Sequence, residues 1–193
     1  LWFIMDNINL KSDKLFDIMM SESNWANAHK ESIRGKHEYR YDAVEFNEYQ
    51  HTNMELLKNS ILNKTYECSK YLYFVVHEPK RRTIHAPGYQ DKIVQYAINF
   101  VLRELYEPKF IYHSYACIRN KGNRNAVNAL QGFLRKVEND NDYTYPYIVS
   151  MDVSKFFYTI DRDILKKILN RQIRCEDTKW LLFKILDGSP EPT

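Results

Sequence analysis

Cysteine, glycine and proline are all scarce here: 193 residues hold three Cys, five Gly and six Pro. Three widely spaced thiols, Cys68, Cys117 and Cys175, make neither a disulfide framework nor a metal-type pair, and they suit a reducing, cytoplasmic location. So little Gly and Pro leaves almost no room for linkers or low-complexity segments. No apolar run approaches the length of a membrane span, and no secretory leader is visible. No Gly-Lys-Ser/Thr occurs, so a Walker-type phosphate loop is excluded. The sequence has no initiator Met and stops at "GSPEPT", which reads as a fragment of a longer protein. What is plentiful is apolar matter: 44% of residues are hydrophobic and 15% aromatic, enough to bury a core in one domain or two small ones.

Charge is unevenly spread. The net charge is +3, but Pro79 to Lys136 carries eleven Lys and Arg against three acids, a local +8, and the remainder is −5. Such a block suits either a polyanion surface or a solvated basic face. The apolar periodicity predicts a short helix over 10–20, a continuation to Gly35, and one long helix across "RYDAVEFNEYQHTNMELLKNSILNKTY". It then predicts two short strands, in "CSKYLYFVVHE" and "TIHAP", joined by the basic turn "PKRR". "YQDKIVQYAINFVLRELYE" is strongly amphipathic, with Ile93, Ala97, Val101 and Leu105 on one stripe, and Pro108 ends it. An irregular basic loop with a tight spot at Gly122 leads to the helix "NAVNALQGFLRKVE". "YIVSMDV" reads as a buried strand, and two further helices follow, with Asp161 or Asp163 placed to cap the first.

Asp152 ends that strand. A carboxylate in such a place suits magnesium, which takes one or two carboxylates plus substrate phosphates; it equally suits a helix cap. An aspartyl phosphotransferase would want a second Asp two positions on, where Ser154 stands. A glycosidase pair with Asp161 would be an accident of folding. His77 and His85 flank the basic turn without ligand spacing and take no role. Lys80, Arg81 and Arg82 at the turn suit phosphate contacts or a basic edge that discourages sheet association.

The order of these motifs is more specific than any one of them. "EPKRRTIHAPGYQDKIVQYAINFVLRELYEPKFIYHSYACIRNKGNRNAVNALQGF" followed by "YIVSMDVSKFFYTIDRDIL" closely resembles the fingers and early palm of bacterial reverse transcriptases, in the group that includes diversity-generating retroelement, group II intron and retron enzymes. "SYAC", Arg and "KG" in "SYACIRNKG" are nearest to the diversity-generating type. The upstream "NWANAHKESIRGKHE" and "NMELLKNSILNKTY" also look like that family's N-terminal region, so the resemblance covers about residues 20–187.

The resemblance implies an α+β chain: a helical N-terminal extension over 1–64, fingers over 65–145, and the beginning of a right-hand palm over 146–193. It implies an RNA-directed DNA polymerase that extends a DNA or RNA primer on an RNA template from deoxynucleoside triphosphates (dNTPs) with Mg²⁺. Asp152 matches the first catalytic, metal-binding aspartate, and Val153 the residue whose carbonyl helps hold metal. Phe157 matches the ring beneath the nucleotide sugar that excludes a 2′-hydroxyl, while Phe156 is expected to face the core. Lys80 and Arg82 match fingers residues on the triphosphate. Arg119, Lys121 and Arg124 fall where the family contacts template or primer backbone. Asp161 and Asp163 stay as caps. The family's Tyr-x-Asp-Asp hairpin, its Gly-x-Pro-x-Gly segment and its thumb have no counterpart in these residues. One carboxylate does not make a two-metal site, so the chain by itself is expected to be inactive. The alternatives are a reverse transcriptase of antiphage defence or intron maturation, or a non-catalytic RNA-binding module of the same fold. An element-encoded accessory protein is a further possible partner; a membrane is not expected.

Overall fold

The computed structural model describes residues 14–35, 39–139 and 147–190, apart from the side chains of 157 and 158. It is a mixed α+β chain, mostly helical with one small sheet. In order the elements are α1 (Leu15–Met20), α2 (Glu22–Ser32), α3 (Tyr41–Glu48), α4 (Gln50–Leu62), β1 (Leu72–Val76), β2 (Arg82–Ala86), α5 (Tyr89–Tyr106), a 3₁₀ turn (Glu107–Lys109), α6 (Asn123–Glu138), α7 (Phe156–Thr159), α8 (Arg162–Gln172) and α9 (Glu176–Gly188). The chain forms two compact units, one from Leu1–Leu105 with Phe157–Thr193 and the other from Tyr106–Phe156. Division by contact therefore cuts the chain at other points than the expected division by role at 64/65 and 145/146.

The first unit is built on α5. Ile93, Ala97, Val101 and Leu105 are all at most 4% exposed, as their spacing predicts, because i, i+4, i+8 and i+12 stack on one helix face. The same unit buries Trp25 and Ala28 of α2, Phe46 of α3, Leu57 and Ile61 of α4, and Leu181 and Leu182 of α9. Burying each large side chain of this kind is worth roughly 1.5–3 kcal/mol. Polar bonds fix the register of these helices. Asn24 Nδ2 donates to the carbonyls of Met19 (2.8 Å) and Ala97 (2.9 Å), and Tyr89 N donates to Asp42 (2.9 Å). Asp91, on the first turn of α5, is 2% exposed; it accepts from Tyr66 Oη (2.6 Å), Ser69 N (2.9 Å) and Ser69 Oγ. Gly188 lies against Cys68, where a Cβ would sit 2.6 Å from Sγ. Only glycine lets the end of α9 approach that closely.

Three expectations are corrected. The single long helix is two helices, α3 and α4, broken at Tyr49 (φ −122°, ψ 45°). Asn53 Nδ2 donates to the Phe46 carbonyl at 2.9 Å, supplying the partner that the break removes from it. The buried strand over "YIVSMDV" is an irregular, exposed segment: Tyr147 is 96% exposed and Val149 76%. A strand needs a neighbour to pair with, and among the described residues β1 and β2 pair only with each other. Phe156 begins α7 and is 52% exposed, so it does not face the core of either unit.

Candidate nucleic-acid interface

The expected site residues fall on three pieces of chain. Lys80 lies in the hairpin turn, and Arg82 opens β2, paired with Val76 at the tip of the antiparallel ladder. The hairpin forms because two β-branched and aromatic runs flank a turn containing Pro79. Its register pairs Tyr73 with His85, whose rings are 4.6 Å apart. Lys80, Arg81 and Arg82 are all exposed, so the tip is a cluster of three cations open to water.

Arg119, Lys121 and Arg124 lie in the second unit, on the loop before α6 and on its first turn. From Pro108 to Val137 there is no Asp or Glu, while Lys109, Arg119, Lys121, Arg124, Arg135 and Lys136 give six positive charges. The loop closes at Gly122, whose N–H donates to the Tyr115 carbonyl at 3.0 Å. With φ +98° and ψ −177°, Gly122 occupies a region essentially closed to side-chain-bearing residues. The sixteen-residue helix α6 starts there, its first turn free of acids, and its dipole adds partial positive charge at the end that bears Arg124.

Lys121 has a role that its sequence position did not show. Its ammonium donates to the Tyr112 carbonyl and lies over the rings of Tyr112 (4.9 Å to the centroid) and Tyr115 (5.6 Å), a cation–π arrangement. His113 stands edge-on to Tyr112 (5.0 Å, 88°) and to Phe133 of α6 (5.0 Å, 70°), and its Nδ1 is 2.9 Å from Tyr115 Oη. Tyr112 is 78% exposed. A loop expected to be merely irregular is thus an ordered aromatic cluster. The available signal was Tyr112, His113 and Tyr115 grouped between Lys109 and Arg119 in an acid-free stretch.

Asp152 and Val153 stand exposed on the irregular segment. Among the described residues no group of three His, Cys, Asp or Glu is positioned to hold a metal ion. Asp152 is an exposed carboxylate, and among the described residues nothing completes a two-ion site around it. The side chain of Phe157 lies outside those described. Asp161 does cap α8: its carboxylate accepts from Ile164 N at 2.9 Å, while Asp163 sits on the first turn. Among the described residues no helix is long and apolar enough to cross a membrane. No family model matches this chain, and no curated protein matches it.

Proposed function

We propose that this chain is the fingers and first part of the palm of an RNA-directed DNA polymerase, the reverse transcriptase of a bacterial retroelement. The observation that carries the reading is an ordered series. A basic-tipped hairpin leads into the buried-stripe helix α5, then into an acid-free basic loop closed by Gly122, then into a segment that presents Asp152. That is the order and spacing of the resemblance.

In this reading Arg82 and Lys80 hold the triphosphate of an incoming dNTP, as guanidinium and ammonium groups do. Arg119 and Arg124 bind strand phosphates. Phe157 lies beneath the sugar and selects the deoxy form by excluding a 2′-hydroxyl. Asp152, with the Val153 carbonyl, supplies part of a magnesium site. When bound, magnesium supplies charge stabilisation of the phosphoryl transfer and activation of the primer 3′-hydroxyl. The test is template-directed synthesis. Given a primed RNA template, Mg²⁺ and nucleotides, the full-length protein should extend the primer with deoxynucleotides and reject ribonucleotides. No extension under any of these conditions would refute the reading.

A further inference from the structure

Tyr112 presents a large ring to water in the most basic part of the chain. It is 78% exposed, with the Lys121 ammonium over the ring, so most of its surface is open to water. Tyrosine pairs an apolar ring with a polar tip, a combination enriched where partners bind. The ring is also held in place. Lys121 bonds the Tyr112 carbonyl and spans both tyrosines, and His113 backs the ring edge-on while its own position is set by Tyr115 and Phe133. An exposed aromatic fixed in advance, within thirty residues that carry six cations and no acid, matches what a single-stranded nucleic acid needs: a π-face for a base and positive charge for its phosphates.

We infer that the exposed ring of Tyr112 is a base-stacking platform for single-stranded nucleic acid. Lys121 is a positioning residue that holds this ring, and the phosphate contacts of the loop belong to Arg119 and Arg124. The inference rests on reading this block as a nucleic-acid surface, and it departs from the expectation that Lys121 itself contacts the backbone. Charge complementarity selects the occupant, since a segment with six cations and no acid favours a polyanionic strand over an apolar peptide.

The test is binding of the full-length chain to a mixed-sequence RNA 20-mer carrying 2-aminopurine, with the matching DNA 20-mer as a second arm, across a salt series. Tyr112→Ala should weaken binding about tenfold, abolish the stacking quench of 2-aminopurine, and leave the salt slope unchanged. Tyr112→Trp should restore both affinity and quench. Arg124→Ala should lower the salt slope by about one, whereas Lys121→Met should weaken binding without changing it. Tyr112 is exposed, so an unchanged circular dichroism spectrum checks that these variants fold. If the chain binds RNA and extends primers but Tyr112→Ala changes neither affinity nor quench, the platform is wrong and the polymerase reading stands. If Lys121→Met lowers the slope as Arg124→Ala does, the positioning role is wrong. A chain that binds neither strand and extends no primer overturns the polymerase reading and the platform together.

Discussion

Asp91 gathers three donors onto one buried carboxylate, and all three come from the Tyr66–Ser69 segment that leads into the hairpin. This lone acid beside an amphipathic stripe gave no sign in sequence of being an anchor, because its partners lie 22 and 25 residues away. Burial, and then the bond to Asp91, push the Tyr66 hydroxyl well above the ordinary tyrosine range. The folded chain therefore keeps that proton after the unfolded chain has lost it. The stability involved is whole below about pH 10 and drains away as pH rises beyond it. Tyr66→Phe should cost about 1 kcal/mol at pH 7 and flatten the alkaline fall, measured as urea midpoints at pH 7 and at about pH 11. A midpoint that falls equally in both proteins would contradict this. Gly122 offers a second residue-scale check. Nothing lies within 4 Å of where its Cβ would be, so the cost of Gly122→Ala is purely conformational. It should be about 1–3 kcal/mol, seen as a lowered thermal midpoint.

Elements were legible where one physical signal dominated. α5 announces itself because four apolar residues at a spacing of four must share a face. The hairpin announces itself through β-forming runs on either side of a Pro-containing turn. The cap of α8 was legible too, since an Asp ahead of an apolar run has a short-range task; Asp161→Ala should remove about 1 kcal/mol of stability, measurable by urea unfolding. The split between α3 and α4 was not legible, because helical periodicity continues across Tyr49 and the break depends on where Asn53 sends its amide. The segment from Tyr147 to Val153 failed in the opposite direction. Its composition is that of a strand, but a strand is a property of a pair, and the described residues offer it no partner.

For the whole molecule, sequence and structure speak to different parts of the account. The charge asymmetry, the basic hairpin tip and the acid-free loop were all visible in sequence, because charge needs no folding to be counted. The aromatic cluster around Lys121 was not, since it depends on the turn at Gly122 that brings Lys121 back onto Tyr112. The catalytic assignment of Asp152 rests on the order of motifs along the chain. It is therefore the claim that most needs a direct experiment. That experiment is primer extension on an RNA template by the full-length protein carrying Asp152→Ala, with RNA affinity measured on the same preparation. The account predicts that extension is abolished while RNA binding stays within about twofold, because the basic surface that supplies affinity does not include Asp152. Extension at the rate of the unaltered protein would contradict it.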